Sequence, residues 1–396
     1  NPVPVYTEKT ACRACGKDLE IVLDLGQHYL PRWIPREQVE ELKPKLPIAP
    51  LRLARCTTCG LLQLADSIEP DLVYRKYWYR SAINASMQTA LLNLVRDAQA
   101  WHTSGKWLDI GANDGTLLKF VPRSFEKYAC EPAYDFTSEL HKIADSVMAD
   151  YFKASPETRN AKVITSAAMF YDVDQPDEFV EDIAQTLAPD GVWLNQLNDA
   201  PSMVEANAWD GICHEHNLYY DLPNLEALYK RHGLKILRVT HNDVNGGSMR
   251  VAAARLEHHA APKHDTDPRL TPTPQQVLRF SLRAVRWKQR MRDLVKSFPK
   301  PIYGYGASTK GGTLLQYLDV PNLLVAVAER NPLKYGTVQS GVWSPIIPEE
   351  NMREAAPGTL FVLPWAFRKE FIEREDAIRA AGTFLLFPLP HIEMVL

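Results

Sequence analysis

The spacing of apolar and polar positions changes period repeatedly along this chain, and each change marks an element. Lys106-Trp-Leu-Asp-Ile110, Lys127-Tyr-Ala-Cys130, Lys162-Val-Ile-Thr165 and Gly191-Val-Trp-Leu-Asn195 have the length of short buried strands. Ala144 to Asp150 suits a further strand between the second and third of these. Helical spacing runs between them over Ser81–Ala100, Leu117–Val121, Glu178–Leu187 and Leu225–His232, the last stopped by Gly233. Such alternation predicts a doubly wound parallel sheet. Lys235–Thr240 and Ser248–Arg255, joined through Asn245-Gly-Gly247, predict a reversed hairpin beside it. Leu256–Pro274, rich in His and Pro, reads as a linker. Phe280, Ala284, Trp287, Met291 and Leu294 then form a core-facing helical stripe with a solvated basic face. Ile302–Gly312, Leu323–Ala328, Gly358–Pro364 and Thr383–Pro388 predict a second Rossmann-like sheet. Near the start, Ile21–Gly26 reads as strand and turn, and the Pro-rich stretch Pro31–Pro50 as irregular loop. The expectation is an α/β protein in three parts, 1–68, 69–256 and 257–396.

Composition narrows the partners. A net charge of -3 argues against a general nucleic-acid binder. The longest apolar stretches are far too short to cross a bilayer, and the first residues lack a basic region followed by an apolar core. The expected setting is soluble and cytoplasmic, with no membrane and no obligate protein partner. Four of the six cysteines fall in Cys12-Arg-Ala-Cys15-Gly and Cys56-Thr-Thr-Cys59-Gly. Two such knuckles can close a tetrahedron of thiolates around Zn²⁺ with no open position, which predicts a structural metal site. So small a module has little core of its own, so metal binding would supply folding energy.

The glycine turn after the first strand reads Asp109-x-Gly111-x-x-x-Gly115, with Asn113 and Asp114 inside it, and the next strand ends in Glu131. An acid there can hold both hydroxyls of an adenosine ribose. The set resembles class I S-adenosylmethionine-dependent methyltransferases, which places Asp109 and Asp114 near the cationic part of the cofactor. Asp150 joins the candidate cofactor set at the end of the third strand. An NAD site is the alternative for this module.

Gly211-Ile-Cys-His214-Glu215-His216 packs three proton-active side chains into consecutive positions. It is not HExxH. If extended, His214 and His216 face one side and Glu215 the other. A second metal site using Cys213 is an alternative, as is a surface polar turn. The functional reading is proton transfer. Methylating carbon would explain the cluster, because carbon must first become a carbanion. A ketone makes that feasible through an enolate, given a base and donors to the oxygen. His216 is the expected base, supported by Glu215, with Tyr77, Tyr79 or His214 steadying the oxygen. Tyr74-Arg-Lys-Tyr77-Trp-Tyr79-Arg80-Ser81 reads either as a helix-entry packing cluster or as the lining of a polar cleft.

The order of CxxCG knuckles, YxYRS, DIGANDG, HEH, GYGASTKGGTLL and ERNPLKYG resembles, over essentially the whole chain, the nucleotide-sugar C-methyltransferases of deoxysugar biosynthesis. The resemblance implies methylation, commonly at carbon three, of a nucleotide-linked 4-keto-6-deoxyhexose, with a His–Glu pair as base. It puts that pair on Glu215 and His216, and the family's N-terminal active-site tyrosine on Tyr79, with Tyr77 as the alternative position. It also implies that the C-terminal domain helps hold the nucleotide-sugar. That polar turn could grip a diphosphate through backbone amides, with Ser308 and Lys310 contributing. Tyr305, Arg80 and Asn245 complete the expected substrate contacts. One departure is Cys213, where the family usually carries tyrosine. The alternatives are a methyltransferase of another substrate, including RNA or protein, and a silent zinc-dependent binding module.

Overall fold

A computed structural model describes residues 5–77, 79–83, 85–242, 247–263 and 270–396. Its central sheet has seven strands: β1 (Gly105–Ile110), β2 (Phe125–Cys130), β3 (Ser146–Met148), β4 (Ala161–Ala167), β5 (Leu187–Asn198), β6 (Leu234–Asn242) and β7 (Ser248–Arg255). Their spatial order is β3-β2-β1-β4-β5-β7-β6, parallel except for β7, which runs antiparallel between β5 and β6. Helices cover both faces, so successive residues in a central strand go to opposite cores. Val163 and Val192 pack with Trp107 on one side; Ile164 and Trp193 pack with Leu108 on the other. The order reverses beside β1, between β2 and β4. That opens a crevice at the carboxyl ends of the strands, where such sheets bind ligands.

The C-terminal sheet runs Ile346–Pro348, Val327–Glu329, Ile302–Tyr305, Thr359–Val362, Phe384–Phe387 and Glu393–Val395, parallel except for the last. The N-terminal sheet consists of Leu19–Tyr29, Ile48–Cys56 and Leu62–Leu64, with Leu218–Tyr219 from the central region as its fourth strand. Its leucines have no private core. Leu23, Leu51, Leu53 and Leu64 share one cluster with Phe280, Trp287 and Met291 of the helix Pro274–Leu294 and with Leu314 and Tyr317 beyond it. The apolar stripe read from the sequence is therefore the mortar between the first and last parts.

Two expectations change. Part of Pro31–Pro50 is ordered: Trp33–Pro35 pairs antiparallel with Thr337–Gln339, and a short helix covers Val39–Leu42. The partner strand lies three hundred residues away, so no local pattern reveals it. The strand expected over Leu323–Ala328 is shorter, Val327–Glu329, and follows a turn in which Asn322 adopts a positive φ of 55°.

Candidate active site

The four knuckle sulfurs lie within 4.8 Å of one another, with Cys12 Sγ 3.8 Å from Cys59 Sγ and Cys15 Sγ 3.4 Å from Cys56 Sγ. Backbone amides of Ala14, Thr58 and Cys59 point at the sulfurs, and Gln63 Nε2 donates to Cys12 Sγ at 3.1 Å. These donors stabilise thiolates, and free cysteines so clustered fit a closed tetrahedral Zn²⁺ site.

After β1 the chain turns through Gly111 at φ 72°, where a Cβ would stand 2.9 Å from Met169 Cγ. Asn113 N donates to Glu131 Oε2 and Ala133 N to Oε1, both at 2.8 Å. Two bonds orient this buried carboxylate at the crevice and leave further lone pairs for a diol. Asp109 accepts from Thr165 Oγ1 at 2.7 Å, and burial pushes its pKa up to about 7. Asn113 also holds the incoming chain, accepting from Ser81 N and donating to the Tyr79 carbonyl.

The segment 209–216 is a 3-10 turn followed by a tight turn closed by His216 N to Cys213 O at 3.1 Å, not an extended strand. This separates the two histidines. His214 is buried toward the N-terminal module, with Nε2 against the Pro50 carbonyl at 3.1 Å and its ring beside His28. Burial pushes its pKa down to about 4, which keeps it neutral. Glu215 and His216 instead line the central cavity. Tyr77 donates to Glu215 Oε2 at 3.0 Å and Thr309 to Oε1 at 3.3 Å. Burial raises the Glu215 pKa; those hydroxyls, then Arg32 and Lys334, oppose the rise. His216 Nδ1 lies 3.2 Å from the Gly211 carbonyl. A carbonyl can only accept, so the neutral ring carries its proton on Nδ1 and presents a bare Nε2. Burial, helped by Lys310, pushes the His216 pKa down to about 4.

The cavity measures about 960 Å³ and is lined from every side: Gly111 and Glu131, the Glu215–His216 turn, and Ser308, Thr309 and Lys310 of the C-terminal part. That is the upper end of the range for one ligand, roughly 300–1,000 Å³. Family models match in three consecutive segments: a zinc binding domain over residues 12–74, a methyltransferase domain over 80–239, and a C-methyltransferase C-terminal domain over 243–390. The C-methyltransferase NovU of Streptomyces niveus is 25% identical, over 97% of this chain and 96% of that protein. The chain is an S-adenosylmethionine-dependent C-methyltransferase. Solved structures similar to the methyltransferase cover less of it. Mitomycin 7-O-methyltransferase MmcR is 20% identical over 44% of this chain and 56% of that one (TM-score 0.35). An S-adenosylmethionine-dependent methyltransferase from Clostridium acetobutylicum is 12% identical over 42% and 92% (TM-score 0.36).

The residues present suit S-adenosylmethionine as well as zinc: the oriented Glu131 carboxylate and the open Gly111 turn would hold it beside Asp109. Of the other residues expected at the site of the methyltransferase, some lie elsewhere and some line the cavity with their polar groups committed to protein partners. Asp114 is buried and is not among the cavity-lining residues; it accepts from Thr116 N and Oγ1 and from Ala82 N at 2.9 Å, so it holds the start of the following helix and ties down the preceding loop. Gly115, at φ 76°, fits under Ile143. Asp150 points outward into an ion pair with Arg75 at 2.8 Å. Arg80 lines the cavity but is paired with Glu139. Ser308 caps the helix Thr309–Leu318, accepting from Gly311 N at 3.1 Å. Tyr305 borders the cavity, but its hydroxyl is committed to Glu375 at 2.8 Å. Tyr79 lines the cavity at 41% exposure. Asn245 lies outside the described residues.

The sequence reading missed Thr309 and Tyr171, and it offered Tyr74 as cleft lining without a contact to the HEH segment. Tyr74 donates to the Glu215 carbonyl, and the Tyr171 ring lies 4.5 Å from that of His216. Tyr171 and Asp172 follow the C-terminal end of β4, a position where open sheets build their sites, and that was the available signal.

Proposed function

We propose that the enzyme methylates a carbon beside the keto group of a nucleotide-linked 4-keto-6-deoxy sugar, commonly carbon three in the proteins it resembles, through an enolate. The observation that carries this reading is that Glu215 and His216 line the same cavity as Gly111 and Glu131, with His216 Nδ1 held by the Gly211 carbonyl so that Nε2 keeps the lone pair. Oxygen nucleophiles often need no more than one deprotonation, whereas carbon needs a positioned base near neutral pH. S-adenosylmethionine, when bound, supplies an electrophilic methyl group. His216 accepts the proton from carbon at Nε2, its tautomer set by the Gly211 carbonyl. Glu215, held by Tyr77 and Thr309, stabilises the imidazolium that results. Lys310 and the amides at the start of Thr309–Leu318 hold the diphosphate, in keeping with a site lined by a helix N-terminus and a cation. Cys213, smaller than the tyrosine of the related proteins, widens the cavity next to the base and favours a substrate shaped differently there.

Incubation with labelled S-adenosylmethionine and a panel of dTDP- and GDP-linked 4-keto sugars, read by mass spectrometry, tests this. A product gaining one methyl on carbon is expected; labelling on oxygen alone, or no turnover across the panel, sinks it. His216→Ala should abolish turnover while cofactor affinity stays near wild type, and a matching loss of affinity would refute the base assignment.

A further inference from the structure

Asp172 ends the short turn after β4, next to Tyr171, and Asn217 Nδ2 donates to its backbone carbonyl at 2.7 Å. That bond ties its turn directly to the one bearing Glu215 and His216. Asp172 lines the central cavity and is partly exposed there, yet its Oδ1 is sealed from solvent and has no hydrogen-bond partner, which leaves Oδ2 as the oxygen that can present an O–H to the cavity. The charge acting on it is a second carboxylate, Glu215. The other titratable groups that feel it are Tyr74, Tyr77, Tyr171, Cys213 and Tyr219, every one an acid. A bare carboxylate is strongly disfavoured in such a place, and burial together with Glu215 raises the Asp172 pKa well above the usual range. The neutral carboxyl keeps an O–H to give. His216, in the same cavity, is kept neutral with a lone pair to offer. Groups driven apart in this way mark an acid and a base.

The enolate needs a donor at its oxygen, and the donors expected from the sequence are largely spoken for. His214 faces the N-terminal module, Tyr77 gives its proton to Glu215, and Tyr79 sits at the exposed rim. We propose that Asp172 is a catalytic acid whose O–H donates the hydrogen bond to the substrate carbonyl oxygen that becomes the enolate oxygen. This rests on the enolate reading above. His216 Nε2 takes the proton from carbon; the C–H pair becomes the carbon–carbon double bond, and the carbonyl pair moves onto the oxygen held by Asp172. The carbonyl then re-forms as the carbon bonds the methyl. The methyl–sulfur bond breaks with its pair left on sulfur, giving a neutral thioether. The proton on His216 passes to solvent, and Asp172 keeps its own throughout.

The test separates enolisation from methyl transfer. The wild type, Asp172→Ala and Asp172→Asn are incubated in D₂O with S-adenosylhomocysteine and either dTDP- or GDP-linked 4-keto-6-deoxyglucose. Deuterium entry next to the carbonyl is followed by mass spectrometry, and kcat and KM are measured across pH. Asp172→Ala should lose about 10²–10³-fold in both exchange and kcat, the usual cost of an oxyanion donor, with KM little changed. Asp172→Asn still donates through its amide, so it should recover most of that loss. Because ionisation of Asp172 removes the donor, wild-type kcat should fall as pH rises, and Asp172→Asn should lack that fall. Exchange at the wild-type rate in Asp172→Ala overturns the proposal, as does a high-pH fall retained in Asp172→Asn. Should Asp172→Ala fail to fold by its melting curve, the pH profile of the isosteric Asp172→Asn decides alone. No exchange by the wild type with either sugar would instead overturn the enolate reading, and this acid with it.

Discussion

Replacing Tyr77 with phenylalanine removes one oxygen and tests the electrostatics of the base directly. The hydroxyl donates to Glu215 Oε2 at 3.0 Å, inside a wall where burial already raises the carboxyl pKa. A hydrogen bond to a charged group contributes about 1.5–3 kcal/mol. It favours the ionised form, so deleting it raises the pKa further, by about one to two pH units at 1.36 kcal/mol per unit. The ionised fraction of Glu215 then falls on the acid side. The acidic limb of kcat/KM in Tyr77→Phe should move to higher pH by about that amount, with the rate above it close to wild type. Thr309→Val should shift it in the same direction by less, since its bond is longer at 3.3 Å. The assay is methyl transfer from labelled cofactor across pH, with calorimetry for cofactor affinity and a melting curve for the fold. A folded Tyr77→Phe whose limb stays put, or moves to lower pH, refutes the reasoning.

Other expectations are as direct. Structural zinc binds with about 10–16 kcal/mol in small modules, as much as a whole domain's stability, so stripping it should melt the N-terminal sheet. Leu218–Tyr219 completes that sheet two residues past His216, so turnover should vanish with the metal. Zinc-free protein with full activity and an unchanged melting curve would contradict this, as would normal folding of Cys56→Ser. Gly111→Ala should weaken cofactor binding by about 5- to 30-fold, because a left-handed φ costs an L-residue about 1–2 kcal/mol and the new methyl meets Met169, so the turn must shift from its binding geometry. An unchanged affinity by calorimetry would overturn that reading.

Some of the site was legible because its chemistry is local. The CxxCG knuckles and the Gly111–Glu131 pair announce themselves, since metal ligation and a strand–turn–helix crossing each need fixed residues at fixed spacing. Asp114 and Asp150 carried the right side chains at the right ends of strands, yet a backbone amide claimed one and Arg75 the other. His214 and His216 are two residues apart, and strand geometry would have joined them; the turn at Cys213 sent them to different neighbours. Asp172 is ordinary in sequence, and what makes it unusual is the company of Glu215.

The chain alone determined its element types, its metal and its two Rossmann-like units, since periodicity, glycine turns and thiolate spacing are properties of short segments. Tertiary structure decided which polar groups share a cavity. It paired Trp33–Pro35 with Thr337–Gln339, seated the N-terminal sheet on the helix Pro274–Leu294, and set Thr309 and Tyr77 on one carboxylate. The physical reason is that burial and charge depend on what lies within a few ångströms, and these neighbours are separated by tens to hundreds of residues.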